Sequence, residues 1–184
     1  MQHRPMKPVP VQRQSGASLI EVLIAILLLS FGMLALGGML AFGVQLPKLA
    51  GYRAVAVNLA NAHVERIRAN PTGFAADNYL AALNYDGTTA SVASANCTYP
   101  ACTETSLATM DNAASQQAIR NEIPAGGMML TCDTSPCTSN GNLWVIWQEP
   151  STYAALSPAA SDNCPAGLST FSPAPRCLYV RFSL

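Results

Sequence analysis

Hydrophobic and polar positions divide the chain into three stretches. Val22 to Leu46 is a run of 25 residues without a charged side chain. As a helix rising about 1.5 Å per residue it would extend roughly 37 Å, more than the ~30 Å hydrocarbon core of a bilayer. Beyond it the pattern becomes amphipathic: Leu49, Tyr52, Ala56, Leu59, His63 and Ile67 recur at spacings of three or four and predict one helix face. Arg53, Asn61, Glu65, Arg66 and Arg68 fall mostly elsewhere, and Asn70-Pro71 ends the helix. The two stretches together predict one helix of about 50 residues, Ser18 to Ala69, far beyond the usual globular length. Gly37-Gly38 costs it only about 1 kcal/mol per glycine. Pro47 is the next breaker, placed to kink the helix where the apolar run ends.

The remainder predicts smaller elements. Residues 70–103, rich in Gly, Asn, Asp, Ser and Thr, read as a loop region. Residues 104–122 read as a helix with Leu107, Met110, Ala114 and Ala118 on one side. Three strands are expected at 127–132, 143–148 and 177–183, and Leu143-Trp144-Val145-Ile146-Trp147-Gln148 has the strongest strand composition. This order predicts an α+β fold, a long helix packed on a small antiparallel sheet.

Composition agrees with a membrane segment plus one domain: the chain has 184 residues, of which 11% are charged, against roughly 25% in soluble domains. Net charge is zero but unevenly divided. Arg4, Lys7 and Arg13 give residues 1–16 a charge of +3, and the seven basic and ten acidic side chains after them give −3. A positive flank before an apolar span predicts a cytoplasmic N-terminus, with everything after Leu46 beyond the inner face.

A cleaved secretory signal has an apolar core of only about 7–15 residues, so simple secretion fits poorly. An uncleaved anchor fits length and charge but leaves Gly16 and Glu21 unexplained. A carboxylate within hydrocarbon costs on the order of 2.5–3.5 kcal/mol. Two accounts offset that cost. Ser18 and Glu21 have the spacing of a capping box; alternatively, cleavage after Gly16 would give Ala17 a free amine with which Glu21 pairs. The two accounts are compatible.

The run Gln14-Ser15-Gly16-Ala17-Ser18-Leu19-Ile20-Glu21-Val22-Leu23-Ile24-Ala25 resembles the processing signal of type IV prepilins: a basic leader ending in Gly, then a small or aromatic residue, then a Glu-containing apolar helix. Ala17 stands where the family more often has Phe or Met. The resemblance implies a type IV pilin-like fold and cleavage between Gly16 and Ala17 by prepilin peptidase. It further implies N-methylation of Ala17 and pairing of Glu21 with the amine of an adjacent subunit. It divides the chain into a removed leader (1–16), a transmembrane and assembly helix (17–47) and a periplasmic globular domain (48–184) that includes the second half of the long helix. The mature protein would sit in the inner membrane and then enter the pilus, or fimbrium.

Six cysteines permit fifteen connectivities, which the sequence leaves open. An even count in a domain placed outside the cytoplasm favours disulfides over thiols. The sequential pairs Cys97–Cys102, Cys132–Cys137 and Cys164–Cys177 are expected, since each closes a turn-rich loop containing Pro or Gly. The competing reading is a zinc site from the four cysteines of the two short pairs.

Further along, Asn96-Cys97 to Cys102, Leu107-Ala108 with Asp111, Ile123-Pro124-Ala125-Gly126-Gly127 and Leu143 to Glu149 resemble minor pilins of the PilV kind. The pair Cys132 and Cys137 and the Pro-rich stretch 150–176 depart from that pattern. The resemblance implies a role in pilus initiation, in a tip or priming complex with sibling minor pilins and the major pilin. A type II secretion pseudopilin is the alternative, with the same N-terminal physics.

DNA capture would need a basic stripe, whereas residues 17–184 carry −3, so no nucleic-acid partner is expected. No enzyme, cofactor, metal or small-molecule substrate is expected either. His3 lies in the leader and His63 on the long helix, neither in an evident catalytic set, and Ala125-Gly126-Gly127 lacks the Lys and Ser/Thr of a phosphate-cradling loop.

Overall fold

A computed structural model of the chain describes residue 16, residues 18–149 and residues 162–184. Helix α1 (Leu19–Ala69) is followed by α2 (Pro71–Ala75), α3 (Glu104–Glu122), β1 (Gly127–Cys132), β2 (Asn140–Trp147) and β3 (Arg176–Ser183). α1 is helical throughout, with Gly37, Gly38 and Pro47 inside it. Pro47 forfeits one amide donor, a loss the helix absorbs without ending.

The chain forms two compact units, dividing between Val44 and Gln45. In the first, every described residue is exposed, including Leu19, Leu34 and Met39, each more than 70% accessible. Apolar surface on this scale marks a segment meant for lipid or protein surroundings.

In the second unit the sheet has the order β1-β2-β3, antiparallel throughout. Gly127 pairs with Ile146 at one end of β1 and Cys132 with Gly141 at the other; Trp147 pairs with Arg176 and Asn140 with Ser183. The two-residue period of a strand decides what each side chain meets. Leu143, Val145 and Trp147 of β2 join Ala56, Ala60, Val64 and Ile67 of α1 in the main core, with Met128, Leu130 and Phe182. Ile146 and Trp144 point the other way, into a smaller cluster with Tyr85, Leu168, Cys177 and Phe171. There the Trp144 indole N–H donates to the Asn163 carbonyl at 2.8 Å, and its ring lies 5.1 Å from that of Tyr179. The outer edge of β1 is partly covered: Ala81 exchanges both backbone bonds with Leu130, and Asn84 Oδ1 accepts from the Met128 amide at 2.6 Å.

Two expectations need correction. The loop region 70–103 contains α2, because Asn70-Pro71 is a start signal as well as a stop. The Asn70 side chain caps the Gly73 amide at 3.2 Å, and Pro71 occupies a first-turn position that needs no donor. The second correction concerns α3. Its ends are as the pattern predicts, but its buried face is Ala108, Asp111, Ser115 and Ile119 rather than Leu107, Met110, Ala114 and Ala118. Ala114 is exposed and the other three are half-buried. Asp111 and Ser115 go inside because each finds a hydrogen-bond partner there, and an apolar count is blind to that. A reciprocal cap starts the helix: Thr103 Oγ1 accepts from the Ser106 amide at 3.2 Å, and Ser106 Oγ from the Thr103 amide at 2.8 Å.

Disulfides join Cys97 to Cys102, Cys132 to Cys137 and Cys164 to Cys177. The four cysteines considered for zinc are thus all in disulfide bonds. The Cys132–Cys137 loop is also held electrostatically. The Asp77 carboxylate accepts from the Cys137 amide at 2.7 Å and the Ser135 hydroxyl at 2.9 Å.

Gly126 is where α3 turns into β1, and a Cβ built there would stand 2.3 Å from the Ile119 carbonyl oxygen. Neither that oxygen nor the Ile119 side chain has room to retreat, since Ile119 is 1% exposed. Gly126→Ala is expected to cost about 1–3 kcal/mol, the usual range for overpacking. Denaturant titration of the detergent-solubilised protein measures it, and an unchanged midpoint would contradict this packing.

Candidate functional site

The residues singled out at the N-terminus lie at the start of α1. Gly16 is exposed, and Ala17, the other half of the expected cleavage site, is outside the described residues. Backbone bonds close the first turn: the Glu21 and Val22 amides donate to the Ser18 carbonyl at 2.9 and 3.2 Å. The carbonyl, not the Ser18 hydroxyl, therefore takes the amide that a capping box would use. Glu21 is exposed in the first turn, where the helix dipole favours an anion. Among the described residues no side chain is bonded to its carboxylate. Beyond it, Leu23, Ile24, Leu27 and Leu28 are exposed.

A second constellation lies where α1 meets α3, one that apolar periodicity does not mark. His63 is 1% exposed, with Nδ1 2.8 Å from Ser115 Oγ. Arg66 Nη1 donates to the same hydroxyl at 2.8 Å and to the Asp111 carbonyl at 3.4 Å. The Tyr79 hydroxyl donates to Asp111 Oδ2 at 2.7 Å. Burial, with Arg66 nearby, pushes His63 down to about 4, so it is neutral at physiological pH. Burial first, and the bond to Asp111 second, hold the Tyr79 phenol well above its ordinary value.

A Ser–His contact invites a catalytic reading, but its surroundings oppose one. Both groups are buried, and Arg66 donates into the oxygen that would have to attack. The arrangement holds two helices together. The i, i+4 spacing of Asp111, Ser115 and Ile119 was the available signal, masked because two of the three are polar.

Several other charges are tied into the fold. Arg176 and Glu149 are buried, and Arg176 Nε lies 2.9 Å from Asp162 Oδ2. Asp162 also reaches Arg53 of α1 at 3.5 Å. At the end of α3, Arg120 binds Asp86 at 2.6 Å together with the Thr88 carbonyl. Among the described residues no group of His, Cys, Asp or Glu is placed to hold a metal ion.

Comparison with known proteins fits this picture. Residues 44–113 match the family described as Type IV pilin Tt1218, and residues 11–37 match the prokaryotic N-terminal methylation motif. No curated protein and no solved structure matches the chain. Fold and matches together support a type IV pilin carrying the methylation motif of prepilin peptidase substrates. The pilin match points to a structural protein rather than an enzyme. An apolar N-terminal helix with that motif is compatible with a membrane-anchored subunit that ends up in the pilus.

Arg120 holds the Asp86 carboxyl down at about 2, with the Thr88 amide and hydroxyl assisting. A depressed carboxylate contributes stability that is present above its unfolded value near 3.8 and fades as pH falls through about 2. Asp86→Asn should therefore flatten the acid limb of the stability profile between those values. Denaturation midpoints at a series of pH values would show it, and an unaltered limb would contradict the pairing. Asp86 is half-exposed, so the effect should be small.

Proposed function

We propose that this chain is a minor prepilin of the PilV kind that helps initiate pilus assembly. In this reading prepilin peptidase cuts between Gly16 and Ala17 on the cytoplasmic face, and the new Ala17 amine is methylated. Residues 17–47 then hold the protein in the inner membrane with residues 48–184 in the periplasm. Glu21 selects a neighbour by pairing with its N-terminal amine. Sibling minor pilins and the major pilin are the partners, in a tip or priming complex.

One observation carries the proposal: Gly16, Glu21 and the exposed apolar helix as far as residue 37 fall within the matched methylation motif, and the pilin match follows it. The energetics supply a mechanism. A lone carboxylate in hydrocarbon costs on the order of 2.5–3.5 kcal/mol, and pairing with an amine offsets it. The pairing thus favours association in one register. In favour of the PilV kind are the segments it resembles, which form α3, the turn before β1, and β2.

Two substitutions separate processing from assembly. Gly16→Ala should leave an uncleaved precursor, seen as an unshifted mass on co-expression with the peptidase. Glu21→Ala should be cleaved normally yet be depleted from sheared pili at least tenfold, by immunoblot. Normal incorporation of the Glu21 variant would overturn the assembly role, and efficient cleavage of the Gly16 variant would overturn the processing site.

A further inference from the structure

The seam between α1 and α3 contains a buried histidine, His63, whose hydrogen bonds fix which of its ring nitrogens carries the proton. A hydroxyl has one proton and two lone pairs. Arg66 donates into the Ser115 oxygen, leaving the Ser115 proton free to go to His63 Nδ1, 2.8 Å away. His63 must then be neutral with its proton on Nε2, an atom with no partner among the described residues. The charged and titratable groups facing it can be named. α1 contributes Arg66. α3 contributes Asp111, whose carboxylate accepts from Tyr79. The segment after α2 contributes Tyr79 itself, whose ring stands edge-on with its centre 6.2 Å from the imidazole. Glu65 and Arg68 pair with each other on the exposed side of α1.

We propose that His63 is a proton-operated latch: neutral, it holds the middle of α3 against α1, and protonated it lets residues 111–119 loosen while the sheet stays formed. Protonation converts Nδ1 from acceptor to donor. Ser115 Oγ is then flanked by two cationic donors, and a second positive charge is buried beside Arg66. The ends of α3 are fastened independently. Asn70 Nδ2 donates to the Glu104 carbonyl at 2.8 Å, and Arg120 binds Asp86. Loosening is therefore confined to the stretch between them.

The sign follows from linkage. His63 is held below its ordinary value of 6.5, down to about 4, so the latch is fully closed above pH 6.5 and weakens as pH falls towards 4. Amide hydrogen exchange of the full chain in detergent micelles, corrected for intrinsic rates, tests this at pH 7 and pH 5. Opening of residues 111–119 should rise ~20-fold over that interval, the ratio the two proton affinities give, while β2 holds its protection. His63→Asn retains an acceptor near the Nδ1 position but does not titrate, so its α3 exchange should be the same at both pH values. Should that variant fail to fold, imidazole NMR of the wild type decides: His63 must remain neutral at pH 5. Equal loss of protection in β2, no change in α3, the same pH response in His63→Asn, or titration of His63 near 6.5 would each overturn the proposal.

Discussion

The fold of residues 45–184 depends on how closely α1 can be approached. Ala56 and Ala60 are fully buried in the same apolar cluster as Leu143, Val145 and Trp147 of the sheet, and their small side chains leave room for those larger ones. Val64 and Ile67 extend that contact, and Phe74 and Phe182 meet beyond it with ring centres 5.7 Å apart. A larger residue at either alanine would push the helix off the sheet and open the core. The same helix, rotated a little, offers His63 and Arg66 to α3. One surface is therefore seated by apolar packing and the adjoining one by hydrogen bonds. The second is the more exacting, because a buried donor left without an acceptor costs about 1–3 kcal/mol.

This division explains why α1 changes character along its length. Up to Val44 its side chains are, apart from Glu21 and Ser30, non-polar and exposed, whereas from Leu49 onward burial follows the helical period. A helix stable in both settings cannot rely on one amphipathic face throughout. Intrinsic propensity and an unbroken hydrogen-bond ladder carry the first part, and tertiary packing carries the second. Glycines 37 and 38 are tolerated because each costs only about 1 kcal/mol against dozens of intact backbone bonds.

What the sequence made legible was what depends on near neighbours in the chain. The uncharged run, the amphipathic period after it and the strand composition of 143–148 placed α1 and the sheet within a few residues of their bounds. The match of residues 11–37 to the methylation motif has the same basis, since such a motif is a linear pattern. The buried face of α3 was not. Asp111 and Ser115 are inside only because Tyr79, His63 and Arg66 come from distant parts of the chain to meet them. Arg120 and Arg176 were equally hidden, their acceptors lying 34 and 14 or more residues away in sequence. Polar burial is decided by partners, and partners are a property of the fold.

The arginines extend the same argument to the surface. Arg53, Arg66 and Arg68 share one helix. In the fold each is committed to a different acceptor: Asp162, Ser115 with the Asp111 carbonyl, and Glu65. The Arg68–Glu65 pair is exposed and contributes little. The other two are different in kind. Arg53 reaches Asp162, which binds Arg176 and also accepts from the Cys177 amide at 3.2 Å, so a chain of contacts joins α1 to β3 and the Cys164–Cys177 disulfide. A polyanion recruiting these guanidinium groups would have to compete with acceptors already fixed beside them. Their charge acts inward: it orients α3 and the C-terminal strand on the helix that carries Glu21 at its other end.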